Sequence, residues 1–312
     1  MSYTTTIKNE ITSISYPKSE SIALLSAFIR NNGYMNNDKL SLTTENNNIK
    51  NMMVGIIEKY YEVKVDINTK DNLNFNKNKL YLMEIKEKLD FILKDIGYLN
   101  EDGDYLDTPP QYIVDDNSLI RAYLRGVFLS QGSINDPKTS RYHMELLIDK
   151  PNEAVFVQKL LNIFDLNAKI LNRDKGYMVY LKEAEKISDF IKILGAMKAV
   201  LYYEDIRIYH DAKNHTNRLN NCEQANTDKV IGAATKVLNN IELLEDNLAV
   251  ELLDEGSREA LIYRKKYPEA SLKELAEIIS IETKNKITKS GLNHRFRKIN
   301  ELAEKIQKLN RE

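Results

Sequence analysis

Residues 25–33 read LSAFIRNNG and residues 124–132 read LRGVFLSQG, two stretches of one pattern set 99 positions apart. Asn36 and Asn135 repeat at that offset, as do Asp90-Phe91-Ile92 and Asp189-Phe190-Ile191, and glycines close the two segments at Gly97 and Gly195. Three clusters sharing one offset mark a tandem duplication. In each copy an apolar helix (Ile22 to Ile29, Leu119 to Leu129) runs into a glycine, whose freedom at positive φ suits a helix C-terminus. Strand-like alternation follows at Leu40 to Thr44 and Tyr142 to Ile148, then an amphipathic helix at Ile49 to Tyr61 and Asn152 to Phe164. A hairpin is expected from Val63 to Ile67 with Lys79 to Met83, and from Ala168 to Leu171 with Tyr177 to Leu181. Closing helices are expected at about 84–96 and 183–194. That order, given twice, predicts an α+β domain with two antiparallel sheets and paired central helices.

Between the copies, Glu101 to Asp116 is acidic and contains Pro109-Pro110, which reads as a stiff connector. The clusters Asn46-Asn47-Asn48 and Asn72 to Asn78 read as surface loops. The start, Met1 to Tyr16, alternates polar and apolar residues without an apolar core of signal-peptide length. Nothing in the 312 residues approaches the roughly 20 apolar positions that cross a bilayer, so no membrane partner is expected. The single cysteine, Cys222, pairs with no other and fits a reducing, cytoplasmic compartment; it reads as a small packed residue.

Formal net charge is −1, which averaged over the chain argues against nucleic acid. Counted by region the argument reverses. Residues 254–312 hold 14 Lys+Arg against 10 Asp+Glu, whereas the remainder holds 31 against 36. From Lys284 to Lys298 there are six basic residues and no acid, the single-sign run expected of a phosphate-binding surface. Pattern agrees with charge. Glu255 to Lys266 is a helix candidate stopped at Tyr267-Pro268, and Ser271 with Glu274 has the form of a capping box. After a turn spanning Ser280 to Ile287, Ser290 opens a helix with Leu292, Phe296, Ile299, Leu302, Ile306 and Leu309 at helical spacing. Lys289, Asn293, His294, Arg297 and Lys298 then lie mainly away from the core at the helix start, where a helix-turn-helix presents its DNA-reading side chains. The alternative is a three-helix interaction module whose basic face is merely solvated.

A helix with two apolar turns ending in Gly, repeated before two antiparallel sheets, resembles the LAGLIDADG homing-endonuclease fold. The resemblance implies that each paired helix ends in an acid holding the metals that cut DNA. Here those positions are Asn32 and Gln131, amides that bring no charge and cannot act as bases, and Arg30 stands at the upstream position of the first copy. No catalytic residue and no metal are therefore expected. A metal-dependent nuclease with unconventional ligands, or a protein-binding scaffold built on the duplicated domain, are the competing readings.

The combination is similar to the bacterial WhiA family of transcription regulators over the whole chain, through RAYLRGVFLSQGSIND (121–136), NRLNNCEQANTDK (217–229), YPEASLKELAEII (267–279) and ITKSGLNHRFRKI (287–299). The resemblance implies a degenerate LAGLIDADG-like domain over 1–216 (halves about 1–100 and 117–200), a connector helix region over 217–253 and an all-α helix-turn-helix domain over 254–312. Within the connector, Thr227 or Asp228 is expected to cap a helix from Lys229 to Glu242. The family implies a cytoplasmic, nucleoid-associated, non-enzymatic regulator that binds double-stranded promoter DNA without a cofactor, in sporulation or in cell division and chromosome segregation. DNA contacts carry over to Thr288, Lys289, Ser290, Asn293, His294, Arg295, Arg297 and Lys298, and to Ser271 and Lys273. The duplicated domain is left for a protein or ligand partner. His210, Asp211 and His215 do not share one helical face and are not expected to bind metal. Asp102-Gly103-Asp104 reads as an acidic turn.

Overall fold

The structure is a computed structural model that describes residues 2–36, 38–71, 79–139 and 141–309; the asparagine run Asn72 to Asn78 lies outside them. The chain divides into two compact units, Met1–Asp211 and Ala212–Glu312.

In the first unit, helix α1 (Tyr3–Thr12) precedes two copies of one succession. The first copy runs α2 (Lys18–Asn32), β1 (Tyr34–Asn36), β2 (Lys39–Thr44), α3 (Asn47–Tyr61), β3 (Asp66–Asp71), β4 (Lys79–Ile85) and α4 (Leu89–Asp95). The second runs α5 (Asn117–Gln131), β5 (Gly132–Ile134), β6 (Met144–Ile148), α6 (Pro151–Ile163), β7 (Lys169–Arg173), β8 (Gly176–Leu181) and α7 (Ala184–Leu194). The sheets are wholly antiparallel, ordered β1-β2-β4-β3 and β5-β6-β8-β7. Register follows the apolar alternation. Leu40 opposes Ile85 and Leu42 opposes Met83, while Met144 opposes Leu181 and Leu146 opposes Val179, and all eight are buried. A one-residue slip would turn each set to solvent.

The two central helices pack against each other, and Gly126 sets how closely. A Cβ there would stand 2.2 Å from the Leu24 carbonyl oxygen and 2.8 Å from the Ala27 Cβ. The glycines ending α2 and α5 serve a purpose other than the one expected. Gly33 and Gly132 are extended, with φ of −74° and −81°, and neither uses positive φ. Room is what they supply: a Cβ would come within 2.6 Å of Ile29 O and 2.7 Å of Phe128 O respectively.

Five further points extend or change the expected elements. Residues 84–88 are not helical, because β4 extends to Ile85, where Glu84 is buried and ion-paired with Lys39. The connector is no free spacer: Ile113 and Val114 are buried, and Arg30 donates to the carbonyls of Leu106 (2.8 Å) and Gly97. The polar start is helix α1, which buries Tyr3, Ile7 and Ile11 and is tied down by Tyr3 Oη donating to Ala199 O at 2.8 Å. Helix α8 (Met197–Asp246) begins well before Lys229, and Asp228 accepts from Gln224 Nε2 at 2.9 Å in place of capping. Cys222 lies on α8 and is exposed rather than packed.

Residues of α8 from Met197 to Asp211 belong to the first unit, where Ala199, Val200 and Tyr203 join its core. In the second unit, Val237, Ile241 and Leu244 of α8 join a separate core with α9 (Glu255–Lys266), α10 (Leu272–Thr283) and α11 (Lys289–Leu309). No helix among the described residues is long and apolar enough to cross a membrane.

Candidate nucleic-acid interface

Three helices of the second unit are fixed by their ends. Asp254 caps α9, its Oδ1 accepting from Ser257 N at 2.8 Å. The expected capping box is present on α10: Ser271 Oγ accepts from Glu274 N at 3.3 Å, and Glu274 accepts from Ser271 N at 2.8 Å. Helix α10 runs past Ser280 to Thr283, so the turn is Lys284 to Thr288, shorter than the sequence suggested. Lys284 occupies the left-handed region (φ 58°), and Ser280 Oγ, donating to Ala276 O at 2.7 Å, accepts from Ile287 N at 2.9 Å and pins the far side of the turn. The cap of α11 is Thr288, not Ser290: Thr288 Oγ1 accepts from Gly291 N at 3.1 Å, which places Ser290 inside the first helical turn.

Helix α11 buries Leu292, Phe296, Ile299 and Ala303. At about 100° per residue, Lys289, Asn293, Arg297, Ser290 and His294 then fall in one arc of about 140°, and all five are exposed. Lys289, Asn293 and Arg297 line one flank of that arc, a cleft of about 530 Å³ shared with Ser271 and Lys273 of the α10 start and with Lys229 and Lys236 of α8. Among the described residues no acidic side chain lines it. Lys229 and Lys236 were missed from sequence, although their spacing of seven puts them on one helical face with Ala233.

The basic run is not uniform in role. Arg295, expected on the DNA side, points inward to Glu259 of α9, with Nη1 2.6 Å from Oε2. Its position three residues after Leu292 and four before Ile299 places it on the buried side of the wheel. Lys298 reaches back to Asp254 Oδ2 at 2.5 Å, and that hydrogen bond, with the one from Ser257 N, holds the Asp254 carboxyl well below the usual range. Among the described residues the ion-pair partner of Arg297 is Glu301 one turn on, at 3.1 Å, and both are exposed. Pairs of that kind are worth about 0.3–0.5 kcal/mol, so a phosphate displaces the carboxylate at little cost.

Arg264, unnoticed in sequence, is the buried anchor of this arrangement. It is 2% exposed, its Nη1 donates to Ala270 O at 2.6 Å and Pro268 O at 3.3 Å, and its guanidinium lies 5.3 Å from the Phe296 ring centroid. It therefore joins the end of α9, the start of α10 and α11; its burial lowers its pKa from the usual guanidinium value.

In the first unit the structure brings Asn32 and Gln131 together on one cavity of about 310 Å³ at the ends of α2 and α5. Asn32 Oδ1 accepts from Thr43 N at 2.8 Å, a strand contact and not a metal-ligating posture. Among the described residues no group of three or more His, Cys, Asp or Glu is placed to hold a metal. His210 instead sets Nδ1 3.3 Å from Tyr142 Oη.

Three family models match the chain: the WhiA N-terminal LAGLIDADG-like domain over residues 18–99, the WhiA LAGLIDADG-like domain over 120–213 and the WhiA C-terminal HTH domain over 216–303. A probable cell division protein WhiA of Staphylococcus epidermidis is 40% identical over 311 residues, and one of Bacillus cereus is 40% identical over 313. Each alignment covers 98% of both chains. The crystal structure of full-length DUF199/WhiA from Thermatoga maritima superposes with a TM-score of 0.57 at 21% identity, covering 98% of this chain and 99% of that one. The likeness to that structure is one of fold.

Proposed function

The chain belongs to the WhiA family, and from that premise we propose that it is a sequence-specific DNA-binding transcription regulator without nuclease activity. The observation that carries the reading is the basic cleft beside the exposed arc of α11. Lys229, Lys236, Lys273 and Lys289 neutralise phosphates, while Asn293 and Arg297, each able to make two hydrogen bonds to a base edge, read sequence from the first turns of α11. Ser271, Thr288, Ser290 and His294 border that surface and contact backbone or base. Arg295 and Lys298 are left out of this set, since each is already committed to a carboxylate on or beside α9.

The DNA-reading region is residues 254–312, supported by the end of α8. Its partner is promoter DNA, its place the cytoplasm at the nucleoid, and its role cell division, chromosome segregation or sporulation. The duplicated domain over 1–216 keeps the LAGLIDADG-like framework with amides at Asn32 and Gln131, so the acids expected at the ends of the two central helices to hold a metal are lost. It is free to serve a protein or ligand partner instead.

Because Val237, Ile241 and Leu244 complete the core, the test uses the full chain. Chromatin mapping of the intact protein beside Arg297→Ala is expected to show discrete sites lost in the variant; an unchanged map would sink the reading. Supercoiled plasmid incubated with the protein and magnesium or manganese is expected to stay intact. Cleavage abolished by substituting Gln131 would restore the nuclease reading.

A further inference from the structure

The cavity that holds Asn32 and Gln131 contains chemistry the DNA-binding reading leaves unused. Glu153, on its floor, is 2% exposed. One carboxyl oxygen accepts from Tyr123 Oη, and the other, Oε2, is buried with no hydrogen-bond partner. Burial raises this carboxyl's pKa, and Asn31 beside it opposes the shift. Buried polar atoms are almost always satisfied, so an orphaned oxygen at a cavity floor, closed to solvent as it stands, points to a rearrangement of the lining around a ligand that brings it a donor. Arg30 repeats the pattern. Its Nη atoms are committed to the Gly97 and Leu106 carbonyls, while its buried Nε is unpartnered.

The cavity's charge is mixed, Arg30 and Lys150 lining it beside the carboxyls of Asp149 and Glu153. Where an acid pair would hold cations, Arg30 lies 5.2 Å from the Tyr98 ring centroid, and Lys150 at the mouth lies 5.2 Å from the same centroid. Lys150 Nζ touches Tyr98 Oη at 3.4 Å, and no carboxylate among the described residues forms an ion pair with it. The amide of Gln131 adds a donor and an acceptor, and the amide nitrogen of Asn32 remains available while its oxygen accepts from Thr43 N. Tyr34, 67% exposed, stands at the rim as a stacking face.

We propose that this cavity binds a nucleoside monophosphate. Lys150, backed by the charge of Arg30, takes the phosphate; Tyr34 stacks on the base; and Gln131 and Asn32 engage its polar edge. The volume of about 310 Å³ stands at the lower end of small-molecule sites, which run from about 300 to 1,000 Å³, and suits one nucleotide better than a dinucleotide. The ligand is organic and anionic, so the site is not a surviving metal centre.

Titration calorimetry of the full-length protein with AMP, GMP, CMP and UMP, beside the matching nucleosides and inorganic phosphate, tests this. At least one monophosphate is expected to bind saturably below millimolar concentration, more tightly than its nucleoside and than phosphate alone. Lys150→Ala, a change at the exposed mouth, is expected to weaken binding about tenfold, the effect of losing one charge-assisted contact. Tyr34→Ala is expected to weaken nucleotide and nucleoside alike. DNA affinity of Lys150→Ala without nucleotide is expected to match wild type, which separates this proposal from the one above. No binding by any monophosphate, equal binding of nucleosides or of inorganic phosphate alone, or full binding by both variants would each overturn it.

Discussion

The guanidinium of Arg295 donates to Glu259 at 2.6 Å on the inner side of α11, while Arg297, two residues on, projects outward and pairs with the exposed Glu301. Two arginines of one basic run thus divide between holding the helix and facing the ligand. Arg297→Ala is expected to raise the dissociation constant for operator DNA by about ten- to a hundredfold, consistent with about 1–3 kcal/mol for a bidentate base contact. Its melting midpoint stays at wild type. Arg295→Ala is expected to destabilise by about 1 kcal/mol and leave most of the affinity intact. Calorimetric melts beside fluorescence anisotropy on labelled DNA check both, and the reverse pattern would refute the division.

Lys236 and Lys273 both line the cleft, contributed by α8 and α10. If both neutralise phosphates, replacing either with Ala lowers the slope of log affinity against log salt by about one, whatever the DNA sequence. A variant whose affinity falls with an unchanged slope would mean that its lysine does not touch the backbone.

Arg264→Leu removes the buried donor shared by the Ala270 and Pro268 carbonyls and uncouples the end of α9 from the start of α10. A loss of about 2–4 kcal/mol is expected in denaturant unfolding. Arg264→Lys rescues only in part, because an ammonium can reach these carbonyls but lacks the planar guanidinium that lies against Phe296.

Lys8 of α1 is 5.6 Å from the Phe128 ring centroid and forms no ion pair among the described residues; burial pulls its pKa down to about 8. A folded-state pKa below the ordinary 10.5 penalises the protonated form, so this penalty is full below pH 8 and fades as pH rises through 8 toward 10.5. Lys8→Met is therefore expected to stabilise the protein at pH 7 by about 1–3 kcal/mol, with the advantage shrinking by pH 10. The comparison must be against the variant, because buried Tyr3, Tyr61 and Tyr203, whose hydroxyls are held above their usual range, oppose the trend. A constant difference across that range would show that Lys8 is not desolvated.

Gly126→Ala sets a methyl group 2.2 Å from the Leu24 carbonyl oxygen, so the central helices must part. Overpacking of this kind costs about 1–3 kcal/mol, more than the roughly 1 kcal/mol that Ala gains over Gly within a helix. A lower melting midpoint is expected, and a rise would mean that the helix pair tolerates the separation.

The duplication was legible because its signal is internal: two apolar helices at one offset, each running into glycine, need no knowledge of partners. The sheets followed from period-two alternation at Leu40, Leu42, Met144 and Leu146. What escaped depends on tertiary company. Helix α1 has only Tyr3, Ile7 and Ile11 on its buried side amid threonines, so its packing is decided by what lies under it. The connector reads as polar, yet its carbonyls are what Arg30 needs. Arg295 looked like its basic neighbours, although on the wheel it lies about 40–60° from Ile299 and Leu292, much nearer the buried face than Arg297. Thr288 outcompeted Ser290 as cap because the turn ends two residues sooner. Glu153 gave no signal at all, since a lone carboxyl on an amphipathic helix reads as solvated until the fold closes over it.

Ala27 and Gly126 stand at the same place in the two copies, 99 residues apart, and meet at the helix crossing. Only one of the two positions is stripped to a hydrogen, so the copies are no longer interchangeable. Two first halves brought together would set methyl against helix backbone where the present chain has none. The duplication has become a ratchet: a chain that once could have been assembled from two identical halves is now committed to a single polypeptide. Each half is then free to lose or gain groups at the shared crossing without its twin having to follow.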